Sequence, residues 1–181
     1  MKLELYRDIR RQTSDKYPKT LERPKKIENS TEFGLTVVYV IINSGMKWTI
    51  AQDINSRVKV ALLSKGVIED EFKHPGKRDA INQIWKTKDS LFSDFNACMS
   101  DNVKVQFCQS IPWIGKITKY HLAKNLGVDC VKPDRHLVGI AEKYHTTPDL
   151  LCAELSKSSG DTVSIVDTVI WRACEMGLLK Y

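Results

Sequence analysis

The chain has 181 residues, enough for one domain or for one domain with a small second lobe. Hydrophobic residues make up 42% of it and charged residues 28%, a balance that is typical of globular proteins and too apolar for wholesale disorder. The 28 basic and 22 acidic side chains give a formal net charge of +6. This excess favours an anionic partner, with nucleic acid as the leading class.

The cysteines predict free thiols in a reducing compartment. Their number is five, no two form a CxxC pair, and they are spread over the second half of the chain. A disulfide framework, a four-cysteine zinc site and an iron–sulfur cluster are therefore not expected. The amino-terminal segment has no apolar core, and the longest apolar run, residues 35–42, is too short for a bilayer. We expect a cytoplasmic protein without a membrane partner.

Apolar residues at helical spacing predict an all-α first half. A short amphipathic helix and an extended connector account for the first 28 or so residues. Asn29 and Glu32 form a capping box for the next helix. Thr49 and Gln52 predict a second box for the helix after it. Beyond the turn at residues 74–76, we expect one helix as far as Trp85 and a separate helix carrying Leu91, Phe92 and Phe95.

The second half continues in the same way, and no hairpin signal predicts a sheet. A short helix is expected at 103–110 and another at 116–126, which ends at Gly127. Pro133 delays the next helix, which runs from Asp134 to about residue 144. Thr147 and Pro148 begin a helix that Gly160 closes, and the last helix spans about 162–176.

The turn at residues 111–115, with the sequence IPWIG, joins two of these short helices. Gly115 lets another backbone approach closely, and the following helix begins with exposed N–H groups that suit a phosphate. The stretch 115–135 is basic, with the side chains of Lys116, Lys119, Lys124, Lys132 and Arg135. The alternative is an ordinary pair of antiparallel helices with a solvated basic face.

Asp134 follows Pro133 at the start of a predicted helix. An Asp in this position usually serves only as an N-cap. The helix N-terminus and its N–H groups also keep the carboxylate ionised, and such a charge beside a DNA-binding turn can stabilise a cationic sugar. The two interpretations are compatible.

Two motifs carry a resemblance to a known family. Residues 111–118 (IPWIGKIT), a helix that ends at Gly127 and residues 131–137 (VKPDRHL) resemble the helix-hairpin-helix-GPD DNA glycosylase superfamily. The signature of that superfamily is an L-P-G-x-G turn, a hairpin helix, a Gly/Pro-containing loop and an essential Asp, often with His two residues later. The resemblance implies a two-lobed all-α fold over residues 1–181, with the active-site cleft between the lobes. One lobe is a helical barrel of about 31–140 with the hairpin at 103–127, and the other combines about 1–30 with 141–181.

The resemblance also implies an activity: removal of a damaged or modified base from double-stranded DNA by hydrolysis of its N-glycosidic bond, with Asp134 as the catalytic residue. Bifunctional members carry a lysine where this chain has Ile117, so a monofunctional enzyme is expected. Lys116 could instead supply lyase activity. A third alternative is a non-enzymatic DNA-binding module, which gives Asp134 no role. We expect a monomer that is nucleoid-associated if the source is prokaryotic.

The matched positions also supply candidate contacts. The DNA-binding candidates are Trp113, Gly115, Lys116, Ile117, Lys119 and Lys124. Trp113 replaces the first turn glycine, and either packs beneath the hairpin or lies against the DNA sugar edge. Residues 43–48 (NSGMKW) are similar to a base-pocket segment of the 3-methyladenine glycosylase I type. Asn43, Met46 and Trp48 are therefore base-pocket candidates, and His136 is a further candidate because it matches the family's His two residues after the Asp; core packing or structural hydrogen bonding is the alternative. We expect no metal site and no cofactor beyond a monovalent cation at the hairpin.

Overall fold

A computed structural model describes residues 1–22 and 26–181, apart from the side chains of Thr20 and Trp48. This described part is all-helical, which confirms the all-α class: it contains nine α-helices, a 3-10 turn at Pro18–Leu21 and no strand. The helices are α1 (Leu3–Lys16), α2 (Ser30–Asn43), α3 (Trp48–Lys65), α4 (Pro75–Ala97), α5 (Asp101–Ser110), α6 (Thr118–Asn125), α7 (Arg135–Lys143), α8 (Pro148–Ser159) and α9 (Val163–Glu175).

Several helix ends are set by the capping residues that the sequence predicts. The Asn29 side chain accepts a hydrogen bond from the Glu32 N–H at 2.9 Å, and Thr147 caps α8 in the same way. Gly160 ends α8 in the left-handed conformation, with φ at 84°. These predictions are confirmed. They could be made from the sequence because capping joins residues that are only three or four positions apart.

Two predicted helix boundaries are wrong. Helix α3 begins after Lys47 without a side-chain cap, so Thr49 lies inside the helix and opens no capping box. Helix α4 is continuous over 23 residues, where two helices are predicted. Residues 86–90 are polar, which suggested a break, but none of them is Gly or Pro and all but Lys88 are exposed. They form a solvated stretch of one helix.

The chain divides into two compact units. The terminal unit consists of Met1–Pro24 and Asp129–Tyr181, and the central unit is Lys25–Val128. The boundary predicted from the sequence lay near residue 140, which would put α7 with the central helices. In the structure α7 packs on α8 and α9 and belongs to the terminal unit.

In the terminal unit, α1 packs against α8 and α9. Asp161, in the turn before α9, accepts two hydrogen bonds from Arg10, at 2.6 and 2.8 Å, and one from the Tyr6 hydroxyl at 2.7 Å. Burial alone would raise the pKa of Asp161, but these hydrogen bonds and the charge of Arg10 hold that pKa below its ordinary value. The ion pair ties the amino-terminal helix to the carboxy-terminal part of the chain.

In the central unit, α2 is the helix around which the others pack. It contacts α3, α4 and α6, while α5 packs on α6. Its apolar residues surround the helix rather than forming one stripe, which is typical of a buried helix. Fully buried members are Phe33, Val37, Val40, Ile41 and Ile42. In the described part of the chain, no helix combines the length and the apolar character needed to cross a membrane.

Candidate functional site

The turn that joins α5 to α6 contains a residue in an unusual backbone conformation. Trp113 has φ at +67°, in the left-handed region that glycine adopts readily and other residues rarely do. The Ile114 N–H closes the turn by donating to the Ile111 carbonyl at 3.1 Å. The resemblance to the L-P-G-x-G signature puts Trp113 in the place of its first glycine. The backbone at this position therefore has the conformation that the glycine of that signature would favour.

The side chain of Trp113 is anchored on the start of α4. Its indole N–H donates to the Gly76 carbonyl at 3.1 Å, and its ring meets the His74 ring edge to face, with centroids 5.1 Å apart. A Cβ atom on Gly76 would lie 2.9 Å from Trp113 Cζ2, so the close approach requires glycine. Trp113 thus packs against the protein while 47% of its surface stays exposed.

Lys77 connects the same region to the end of α2. Its ammonium group donates to the carbonyls of Ile41 at 2.9 Å and Ser44 at 2.6 Å and lies 5.9 Å from the centroid of the Trp113 ring. Burial lowers the pKa of Lys77. The start of α4 therefore holds both the turn at 111–115 and the segment that follows Asn43. Sequence reasoning missed Lys77, because no local pattern distinguishes a buried lysine near a helix start from an exposed one.

Lys119 does not have the position predicted for a phosphate contact. It is only 8% exposed, and its ammonium group donates to the side-chain oxygens of Gln106 at 3.0 Å and Gln109 at 2.8 Å. These hydrogen bonds join α6 to α5. The prediction that Lys119 adds charge to the DNA-binding face is corrected, because its charge is engaged inside the hairpin. Lys124, later on the same helix, is half-buried.

The start of α6 offers unused hydrogen-bond donors. Helix α6 has Ile117 at its N-cap and no side-chain cap, and in residues 1–22 and 26–181 no backbone acceptor pairs with the amides of Gly115, Lys116 and Ile117. The three residues are exposed. Among residues 1–22 and 26–181, no atom lies within 4 Å of a Cβ placed on Gly115, so the close approach of another backbone that this glycine allows is not made by the described part of the chain. What lies in front of Gly115 is open space.

Asp134 is the N-cap of α7, as the sequence predicts. Its Oδ1 accepts hydrogen bonds from the N–H groups of His136 at 3.0 Å and Leu137 at 3.2 Å. Its Oδ2 lies 3.4 Å from the ammonium nitrogen of Lys132, and 14% of the side chain is exposed. Burial and the nearby charge of Asp134 raise the pKa of the Cys174 thiol. One carboxylate oxygen is thus fixed by the helix, and the other faces a single lysine.

Two acids of the terminal unit hold the loop that leads to Asp134. Asp129 Oδ1 accepts from the Ser164 N–H at 2.9 Å, and Asp167 Oδ2 accepts from the Lys132 N–H at 2.8 Å. Asp167 is 2% exposed. No local sequence pattern indicates either contact, because each joins residues that are 35 positions apart.

The base-pocket candidates are divided between the two units. In the central unit, the Asn43 amide donates to the Tyr39 carbonyl at 2.7 Å, and Met46 is half-buried. Trp48 begins α3, but its side chain lies outside the described part of the structure. In the terminal unit, His136 Nδ1 lies 3.3 Å from the Tyr181 hydroxyl. His136 therefore has a structural partner of its own.

Within residues 1–22 and 26–181, no group of three or more His, Cys, Asp or Glu side chains is placed to hold a metal ion. No protein-family model, curated protein or solved structure matches the chain. The proposal that follows therefore depends on the motifs and on the geometry of the turns at 111–117 and 129–137.

Proposed function

We propose that the chain is a monofunctional DNA glycosylase with the two-lobed helical architecture of the helix-hairpin-helix-GPD superfamily. It would remove a damaged or modified base from double-stranded DNA. The observation that carries the proposal is the left-handed backbone of Trp113, φ +67°, at the position of the first signature glycine. The left-handed backbone is a second argument for the motif, separate from the sequence match, because a tryptophan at position 113 does not predict a positive φ.

The turn at 111–117 would bind the DNA backbone. The unused amides of Gly115, Lys116 and Ile117 are donors for a phosphate oxygen, and the open space at Gly115 leaves room for it. The exposed side chain of Lys116 adds a positive charge. Trp113, anchored on Gly76, would present its exposed face beside the same strand.

Asp134 would act on the sugar. The target nucleotide leaves the base stack, because its glycosidic bond is inaccessible inside a duplex. As the base departs, positive charge develops on the sugar, and a carboxylate stabilises that charge and orients the attacking water. Two backbone N–H groups fix Oδ1, and Oδ2, which lies 3.4 Å from the Lys132 ammonium group, is the oxygen that would face sugar or water. This pre-organisation is what electrostatic catalysis requires.

The absence of a lysine at position 117 supports hydrolysis without strand cleavage. Ile117 is exposed and cannot form a Schiff base with the sugar. Lys116 is the neighbouring amine, but one residue along a helix turns the side chain by about 100°. A second candidate, a DNA-binding module without catalysis, is favoured by one observation: capping of α7 is sufficient to account for Asp134.

The test is a base-release assay on duplexes that carry alkylated, deaminated, oxidised or hypermodified bases. We expect release of one class of base and strand breaks only after alkali. Asp134→Asn, which keeps an N-cap, should reduce release at least about 100-fold. Full activity of this variant would refute the mechanism.

The remaining outcomes distinguish the alternatives. Breaks without alkali, with borohydride trapping that is lost in Lys116→Ala, would indicate a lyase. Binding of every duplex without release of any base would favour the non-enzymatic module.

A further inference from the structure

Lys132 and Asp134 form an ion pair at the oxygen that would act on the sugar. Asp134 Oδ1 accepts from two backbone N–H groups, whereas Oδ2 lies 3.4 Å from the Lys132 ammonium nitrogen. Among the described residues, Lys132 is the only basic side chain paired with that carboxylate. In the free protein, the negative charge of Asp134 is therefore neutralised by its neighbour two positions earlier.

A carboxylate in such a pair stabilises a nearby cation poorly. Opposite unit charges a few ångströms apart act on a third group with fields that largely cancel. A positive sugar beside the intact pair would be attracted by Asp134 and repelled by Lys132. The ammonium group must therefore move away before the charge of Asp134 can act on the sugar.

The side chain of Lys132 can move while its backbone stays in place. The Lys132 N–H donates to Oδ2 of the buried Asp167 at 2.8 Å, and the Lys132 carbonyl accepts from the Asp134 N–H at 2.8 Å. The side chain of Lys132 is 28% exposed, twice the 14% of Asp134. Lysine carries its charge at the end of a flexible stem. The ammonium group can thus turn from Oδ2 to an anion at the surface without disturbing the loop.

The substrate of the proposed reaction supplies that anion. Each sugar within a DNA strand is bonded to a phosphate on either side, and phosphates are the charged groups of the duplex. A sugar that reaches Asp134 therefore brings phosphates close to the same ion pair. A phosphate attracts Lys132 and repels Asp134, so its approach favours separation of the two side chains. Arg135, which is exposed and directly follows Asp134, adds a second positive charge to this surface.

We propose that Lys132 exchanges Asp134 for a DNA phosphate when the duplex binds. The exchange replaces one charge-assisted contact by another, so it needs little free energy. It leaves Asp134 with its full negative charge facing the extruded nucleotide. Lys132 is thus a positioning residue that couples DNA binding to the charge of Asp134. This inference rests on the proposed function and states when the carboxylate of that function becomes available.

The test is a double-mutant cycle on DNA affinity, measured by fluorescence anisotropy with the full chain. The probe is a labelled duplex with one tetrahydrofuran abasic site, which keeps the sugar and its phosphates but has no base to release. Asp134→Asn, which keeps the N-cap, frees Lys132 and should bind the probe about fivefold more tightly than the parent, the gain expected from removing a competing ion pair. In a Lys132→Gln background, the same substitution should change the affinity by less than about twofold, because no ammonium group is left to free.

Lys143→Gln is the matched control background. The Lys143 ammonium group lies in the same unit but donates to the Lys180 carbonyl at 2.6 Å instead of contacting a carboxylate. The gain from Asp134→Asn should persist in this background. An equal gain in the Lys132→Gln and Lys143→Gln backgrounds would refute the exchange, because it would report only the loss of a negative charge near DNA. Unchanged or weaker binding by Asp134→Asn alone would refute it as well.

The base-release assay separates this inference from the proposed function. Base release by the parent, together with an additive cycle, would refute the exchange and leave the glycosylase standing. The expected cycle in a protein that releases no base would support the exchange and refute the glycosylase. A parent that binds no duplex would overturn both.

Discussion

Helices α6 and α7 begin in opposite ways. Helix α6 has no side-chain cap, and the amides that precede it find no partner in the described chain. Helix α7 is capped by Asp134, which accepts from two of its N–H groups. An uncapped start keeps its donors and the positive end of its dipole for an outside anion. A capped start uses them to fix a carboxylate, so the same local chemistry leaves donors exposed at the start of α6 and orients an acid at the start of α7.

The lysines near the start of α6 differ in a similar way. Lys116 is exposed, whereas Lys119 is buried and bonded to Gln106 and Gln109. Charge counted along the sequence treats the two alike. Of the two, only Lys116 is exposed, and under the proposed function it is the one that meets a phosphate, while Lys119 joins α6 to α5.

The largest effect on stability is expected for Lys119→Met. This change keeps the buried hydrocarbon but removes two charge-assisted hydrogen bonds, and should lower the free energy of unfolding by about 2 kcal/mol. Urea denaturation measures it. Lys116→Met is the control, with a change below about 0.5 kcal/mol because its side chain is exposed. Equal losses of unfolding free energy in Lys119→Met and Lys116→Met would contradict the assignment of Lys119 as buried and hydrogen-bonded and of Lys116 as exposed.

A smaller loss is expected for Asp134→Ala. Removing an N-cap costs about 1 kcal/mol, whereas Asn caps nearly as well as Asp. Asp134→Ala should therefore be less stable than Asp134→Asn in thermal denaturation. If both variants lose the same stability, the hydrogen bonds to His136 and Leu137 are not what stabilises α7. The same two variants distinguish the capping role of Asp134 from its proposed catalytic role. If both roles are correct, Asp134→Ala and Asp134→Asn are both inactive, but only Asp134→Ala loses stability.

Gly76→Ala tests how the turn at 111–115 is held. The new methyl group would lie 2.9 Å from the Trp113 ring and should displace it, with a net cost of about 1 kcal/mol after the better helix propensity of Ala. The NMR signal of the Trp113 indole N–H should shift, since its bond to the Gly76 carbonyl is disturbed. Gly115→Ala, which adds a methyl group in open space, is the control for stability. An unmoved indole signal in Gly76→Ala would contradict the anchor.

The smallest effect on stability, and a selective one on binding, is expected for Lys116→Ala. If its ammonium group meets a phosphate, the slope of log Kd against log salt should fall by about 1. Fluorescence anisotropy with labelled duplex over a salt series measures the slope. Lys119→Met should leave the slope unchanged at temperatures where the protein is folded. If Lys119→Met lowers the slope and Lys116→Ala does not, the DNA does not bind at the exposed start of α6.

The features predicted correctly depend on near neighbours in the sequence. Asn29, Asp134 and Thr147 cap helices through contacts two or three residues away, so their roles could be inferred locally. The break predicted within α4 failed because a polar stretch was taken for a helix end. The burial of Lys119 could not be predicted, since its partners lie 13 and 10 residues away on another helix.

The backbone of Trp113 carries a consequence for how the hairpin is made. A non-glycine residue in the left-handed region costs roughly 1–2 kcal/mol, and the contact that offsets this cost comes from Gly76, 37 residues earlier. A peptide limited to residues 101–127 would lack that support and would populate other loop conformations. We therefore expect the turn to need the rest of the central unit for its conformation, and grafting the loop onto another scaffold to require the beginning of α4 as well.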